Sequence, residues 1–258
     1  MIDRVLPFTG IHNFRDYGGY RTSDGHLVSG KLFRSGQHHS ATAEDLAGID
    51  QLGLDTIIDL RGDSERRRYP CARSMGFAAQ VLFADGETAG AGGAAHVVAA
   101  RDVKTEDDAF AAMVDLYTFM PNRPNLQIVF RHYFTSLVGR DGANLIHCFA
   151  GKDRTGLAVA LLHRLLGVHE DDVMADYLLT NTAGNSAARI AAGAESIRRS
   201  RPDASDAAIA RLMSVDAAYL EAAFVTIDRD WGGTANYARD VLGIDGAMLA
   251  AIRKRLIV

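Results

Sequence analysis

Three short apolar runs punctuate the first 150 residues: DTIIDL (55–60), AAQVLFA (78–84) and NLIHCF (144–149). Each is too short for a helix and is bounded by turn-forming residues, a pattern that predicts buried strands. Elsewhere the period lengthens. In ATAEDLAGIDQLGL (41–54), Leu46, Ile49 and Leu52 recur at helical spacing, and Thr42 is placed to cap the first turn. TGLAVALLHRLLG (155–167) predicts a strongly apolar helix closed by Gly167. From residue 170 onward helical patterns follow almost without a break, and Trp231 ends one of them before a Gly-Gly pair. Residues 10–36 are rich in turn formers, with a hairpin turn predicted at Asp24-Gly25. Strand, loop and helix therefore recur, which predicts an α/β fold with a central, mostly parallel sheet flanked by helices and a helical part over about 170–258. Ligands in such folds bind outside the carboxyl ends of the strands. The junction of NLIHCF with the helix after it is the expected site.

That junction reads HCFAGKDRTG (147–156). Cys148 and Arg154 stand six apart, with Thr155 next. A phosphate monoester needs converging N–H donors, a fixed bidentate cation and a nucleophile below the phosphorus. A loop that leaves a strand and enters a helix supplies the amides of Cys148, Phe149, Ala150, Gly151, Lys152, Asp153 and Arg154, together with the positive end of the helix dipole. Gly151 permits the tight turn, Arg154 carries the planar fork that matches two phosphate oxygens, and Thr155 is placed to donate to the Cys148 sulfur. A nucleotide-binding loop is excluded, because Ile146 stands where its first glycine belongs and Asp153 where its Ser/Thr belongs. A buried structural thiol explains Cys148 but not the cluster behind it.

HCFAGKDRTG resembles the phosphate loop of the bacterial protein tyrosine phosphatases with the H-C-x-x-G-K-D-R-T-G signature, the atypical dual- and triple-specificity type known from mycobacteria and Listeria. NFRDYGGY (13–20), GKLFRSG (30–36), DLRGDSE (59–65) and DYLLTN (176–181) resemble further blocks of that family in its order. The resemblance implies the cysteine-phosphatase fold in a single domain over 1–258. It also implies Cys148 as nucleophile of a phospho-cysteine intermediate, Arg154 as phosphate clamp, and Lys152 as a cation used toward phosphoinositide head groups. Phosphotyrosine protein with dual specificity is the first substrate expectation. A phosphoinositide, or a non-catalytic phosphate-binding module, is the alternative, and a sulfur-transferring enzyme is the weakest rival.

A leaving aryl oxygen calls for a proton donor. Asp85, just after a predicted strand, is favoured over Asp153 within the loop. His147 is a supporting residue or a packed strand residue. Residues 86–123 begin with an Ala/Gly-rich and then acidic stretch and form a candidate lid. Arg15 and Asp16 suggest a buried ion pair, Arg34 and Arg61 either a positive field near strand ends or pairs with local carboxylates, and ERRRYP (65–70) a solvated helix face that an anionic lipid or peptide would also suit. His38-His39 reads as a surface pair, with no metal and no cofactor expected.

Composition narrows the setting. A formal net charge of −4 gives no reason to expect nucleic acid. Two cysteines, Cys71 and Cys148, suit a reducing compartment, with Cys71 read as a bystander ahead of a resolving thiol for oxidised Cys148. MIDRVLPFTG has no long apolar core, and the most apolar helix is cut by His163 and Arg164, so neither a signal nor a membrane span is read. A cytoplasmic protein is expected, and secretion without a cleavable signal is compatible with the same features.

Overall fold

The computed structural model describes residues 4–89, 103–139 and 141–258. The sheet has five strands, β1 (Arg15–Asp16), β2 (Leu32–Ser35), β3 (Leu54–Asp59), β4 (Gln80–Leu82) and β5 (Ala143–His147), in the order β1-β2-β5-β3-β4. β1 pairs antiparallel with β2, and every other pairing is parallel. Ser35 and Asp59 both lie opposite His147, so β2, β5 and β3 end level, with the HCFAGKDRTG segment leaving the middle strand.

Alternation along the strands divides the interior in two. Phe33, Ile57 and Leu145 point to one face, with Ile11, Phe14 and Ile49. Leu32, Ile58 and Ile146 point to the other, into the larger core. On the first face lies α1 (Ala43–Asp50), where Thr42 caps the helix and Asp45 completes a reciprocal capping box. α2 (Asp63–Arg68) follows β3 directly.

The larger core holds α3 (Glu106–Phe119), α4 (Pro124–Gly139), α5 (Asp153–Leu165), α6 (Glu170–Leu178), α7 (Ser186–Ser200), α8 (Asp206–Met213), α9 (Ala217–Trp231), α10 (Thr234–Asp240) and α11 (Gly246–Leu256). α5 is buried on nearly every side, as its unbroken apolar run demands. Its neighbours include α6, α9 and α10, and α3 packs on α8 and α9. Of the candidate lid, residues 90–102 lie outside the described residues, while 106–119 form α3 with Met113, Leu116 and Tyr117 in the core. The Asp24-Gly25 turn is present, closed by Thr22 N–H to Gly25 O at 2.9 Å, and its arms pair antiparallel through the Arg21–His26 bridge and Leu27 N–H to Tyr20 O at 2.8 Å, too briefly to form named strands. Among the described residues no helix is long and apolar enough to cross a membrane.

Candidate active site

The loop after β5 is shaped by tying its carbonyls outward. Gln37 N–H donates to Phe149 O at 3.0 Å. The Gly151 carbonyl accepts from Asn13 Nδ2 at 2.8 Å and from Arg34 Nη2 at 3.1 Å. A peptide whose C=O is held outward points its N–H inward, so these bonds prepare a nest of amides for an anion. Gly151 sits at φ +66°, and a Cβ there would lie 2.4 Å from the Ser35 carbonyl carbon, so glycine is required. Lys152, Asp153 and Arg154 then open α5, whose first N–H groups have no acceptor within the helix.

A buried ion cluster braces that arrangement. Arg34 Nη1 donates to Asp176 Oδ2 at 2.6 Å and Arg15 Nε to Oδ1 at 3.3 Å. Burial opposes the Asp176 charge, but Arg15 and Arg34 hold its carboxyl well below the usual range. Arg15 therefore pairs across 161 residues with α6, not with its neighbour Asp16, whose carboxylate accepts from the Gly18 and Gly30 amides instead.

Cys148 lies at the foot of the loop and is 2% exposed. Arg154 is fully buried and clamped edge-on by Glu65, with Nη1 to Oε2 at 2.6 Å and Nη2 to Oε1 at 2.8 Å. Nη1 also meets Thr88 Oγ1 at 2.9 Å and Leu60 O at 3.2 Å, whereas Nε has no partner among the described residues. One edge of the fork is thus consumed in orientation and the other remains for two oxygens of a bound anion. Burial works against the guanidinium charge, and Glu65 more than offsets it, so the pKa is raised. Thr155 is wholly buried, and its Oγ1 has no partner among the described residues.

Lys152 and Asp153 turn into the helical half. Lys152 Nζ donates to Leu212 O at 2.5 Å and Ser214 O at 3.1 Å, and lies 3.4 Å from Asp153 Oδ1. Burial lowers its pKa while Asp153 opposes the shift. Asp153 Oδ1 also accepts from Tyr117 Oη at 3.0 Å, itself bonded to Tyr177 Oη at 2.8 Å. Lys152 contributes its amide to the loop, and its ammonium ties the loop to the carboxyl end of α8.

Asp85 lies exposed on the turn after β4. The segment after it is anchored. Gly86 N–H donates to Asp63 at 3.0 Å, Glu87 receives Ser64 N–H at 2.9 Å, and Thr88 Oγ1 donates to Leu60 O at 2.7 Å while accepting from Arg154. Three residues of chain span at most about 10 Å, which keeps Asp85 near the Arg154 clamp.

His147 is fully buried, with Nδ1 3.3 Å from Cys148 O and Nε2 3.8 Å from Asp59 Oδ2. Burial pushes its pKa down to about 4, so the ring is neutral near pH 7. It stacks on His38 at 5.2 Å. His38 is buried too, its Nε2 3.0 Å from Ser35 Oγ, so the expected surface pair is split and only His39 faces solvent. The extended-chain rule put the two rings on opposite faces, but one of those faces is interior.

The residues bracing this site that sequence reasoning passed over are Glu65, Thr88, Asn13 and Asp176. Arginine set within apolar sequence blocks was the available signal: Arg15, Arg34, Arg61 and Arg154 are buried, as is Arg189, and the first four each meet a carboxylate.

The model of the tyrosine phosphatase family matches residues 6–258. The chain belongs to the tyrosine phosphatase family. A Cupriavidus necator protein named "Putative tyrosine-protein phosphatase H16_A0669" is 35% identical over 254 residues, covering 95% of this chain and 86% of that protein. The triple specificity protein phosphatase PtpB of Mycobacterium tuberculosis is 32% identical over 283 residues, covering 98% of each chain. The phosphatase fold expected from the sequence is present, and this phosphatase is an enzyme that hydrolyses phosphate monoesters.

Proposed function

We propose that this phosphatase works through a phospho-cysteine formed on Cys148, with phosphotyrosine proteins as substrates and phosphoserine or phosphothreonine admitted as well. The observation that carries the reading is the buried Arg154 fork, locked on one edge by Glu65 and open on the other, above a loop whose carbonyls are tied away. The Cys148 sulfur attacks phosphorus while Arg154 and the loop amides hold the equatorial oxygens. The dipole of α5 and the converging N–H groups face the oxygens of the transferred phosphoryl group. Thr155 Oγ1 donates to the sulfur as it leaves in the second step, when water hydrolyses the intermediate.

Asp85 is the proton donor in this proposal. It is exposed and close in sequence to the Thr88 contact, whereas Asp153 is fastened by Tyr117 and Lys152. Replacing Asp85 with Asn is expected to slow cleavage of alkyl or phenyl phosphates about 10²-fold and of p-nitrophenyl phosphate far less, because a good leaving group needs no proton. An equal loss on both substrates would move the role elsewhere.

The deciding experiment is p-nitrophenyl phosphate hydrolysis in EDTA, wild type beside Cys148→Ser. Activity confined to the wild type supports a metal-free thiolate mechanism. Phosphate binding without turnover in both proteins would favour a binding module and sink the catalytic reading. A phosphoinositide reading rests on Arg67 and Arg68, exposed at the end of α2, with Arg68 stacked 5.4 Å from the Tyr69 ring beside the loop residue Phe149. A panel of phosphopeptides and phosphoinositides ranks the two classes.

A further inference from the structure

Cys71, half-buried just beyond α2, has a built surrounding that phosphoryl transfer does not use. Its Sγ receives Arg61 Nη2 at 3.1 Å and the His38 backbone N–H at 3.4 Å. The third wall is His147. Its Nδ1 faces the Cys148 carbonyl, so in the neutral ring Nε2 carries the lone pair, and that atom is buried with no hydrogen-bond partner among the described residues. A ring nitrogen of His147, an Asp59 oxygen and Cys71 Sγ all lie within 4.8 Å of one another, and Nε2 is the nitrogen 3.8 Å from Asp59 Oδ2.

A thiol, an imidazole and a carboxylate are zinc donors by type. Arg61 already fills the cationic role, however, with Nε to Asp59 Oδ1 at 2.9 Å and Nη2 to Oδ2 at 2.7 Å, in addition to its bond to sulfur. A metal ion would have to expel a guanidinium that is 2% exposed. One oxygen atom added to the sulfur requires no such displacement. The gap from Sγ to Nε2 is bridged by an S–O–H group whose proton is given to nitrogen over about 2.8 Å.

We propose that Cys71 is a peroxide-reactive modification site that forms a sulfenic acid held between Arg61 and His147. The Cys71 sulfur attacks one oxygen of hydrogen peroxide. The S–O bond forms as the O–O bond breaks, two electrons pass from sulfur to the departing hydroxide, and the thiol proton completes a molecule of water. Arg61 faces the charge that develops on the departing oxygen, and His147 Nε2 accepts the new O–H. Arg61 Nη1 also holds the Tyr69 carbonyl at 2.7 Å, and the Tyr69 ring packs edge-on against Phe149 at 5.1 Å. Oxidation of Cys71 therefore reaches the rim of the phosphate loop without touching Cys148.

The chemistry is tested in Cys148→Ser, which leaves a single thiol. Hydrogen peroxide is added with dimedone, and the adduct on Cys71 is followed by mass spectrometry in the folded and the urea-unfolded chain. A rate about tenfold higher in the folded chain is expected, although unfolding exposes the thiol completely. A folded rate equal to or below the unfolded one overturns the proposal. The consequence is tested in wild type and Cys71→Ser with inorganic phosphate protecting Cys148, peptide mapping reporting each thiol. Loss of turnover in wild type alone, restored by dithiothreitol, is the expected result. Equal loss in both proteins places the sensitivity on Cys148 and overturns the regulatory role.

Discussion

At the scale of single residues, the site is a set of charges that are safe only in pairs. In the proposed mechanism Arg154 clamps the phosphate, and Glu65 fixes where its fork points. Glu65→Gln keeps the shape and removes the charge. Breaking a buried pair from one side costs about 3–5 kcal/mol, so the variant is expected to unfold at markedly lower urea and to lose about 10²-fold in kcat/KM. Inorganic phosphate should restore part of that stability, because it binds the folded state and supplies the missing negative charge. A variant as stable as wild type, unresponsive to phosphate, would deny Glu65 this role. His147 gives a second expectation at the same scale. Its folded pKa of about 4 lies below the ordinary histidine value of 6.5. Between those values the unfolded chain binds more protons, so stability rises with pH across that window and is lost as pH falls through it. The share due to His147 is about 3 kcal/mol. His38 and His163, also lowered by burial, act in the same direction. Urea unfolding at about pH 7 and pH 4.5 should show a steep loss in wild type and a shallower one in His147→Asn.

At the scale of elements, the phosphate loop belongs to two halves at once. Asn13 and Arg34 hold it from the sheet side, and Lys152 fastens it to the α8 carboxyl end through Leu212 and Ser214. Lys152→Met removes the second attachment and leaves Asp153 with Tyr117 alone. A lysine that reads a substrate head group would raise KM for phosphoinositides selectively. A lysine that holds the loop should lower kcat by a similar factor, about 10-fold, on p-nitrophenyl phosphate, a phosphotyrosine peptide and a phosphoinositide. Steady-state kinetics on the three substrates distinguishes these. The elements themselves were readable in the sequence, because local rules govern them: Thr42 caps α1, Gly167 closes the region after α5 at φ +79°, and the apolar runs are β3 and β5. β4 is shorter than its apolar run, Gln80–Leu82 within 78–84, since its partner β3 offers register only from Thr56 to Ile58. The roles proposed for Cys148, Gly151 and Arg154 rest on the same kind of local pattern, since all three fall within one seven-residue stretch. The bracing was not. Arg34 meets Asp176 across 142 residues and Arg154 meets Glu65 across 89, and no periodicity encodes which carboxylate a buried guanidinium will find.

At the scale of the whole molecule, a net charge of −4 conceals an uneven surface. Near the phosphate loop, Arg67 and Arg68 are exposed at the end of α2, and among the described residues neither has a carboxylate partner. Arg66, their neighbour, is committed to Asp63 and to the Ala84 carbonyl. The chain of contacts from Arg68 to Tyr69 to Phe149 sets this positive edge beside the loop rather than at a distance. A substrate with several negative charges gains from it, and p-nitrophenyl phosphate does not. Exposed charges contribute about 0.2–1 kcal/mol each and are screened by salt. The double variant Arg67→Glu and Arg68→Glu is therefore expected to lower kcat/KM about 3- to 10-fold for a phosphoinositide or an acidic phosphopeptide at low salt. The difference should shrink at about 0.5 M salt, with p-nitrophenyl phosphate turnover unchanged throughout. An equal loss on the small substrate would mean that the run supports the loop itself. Loss only on the multiply charged substrates would make α2 the element that selects among phosphate esters, leaving the chemistry to β5, the loop and α5.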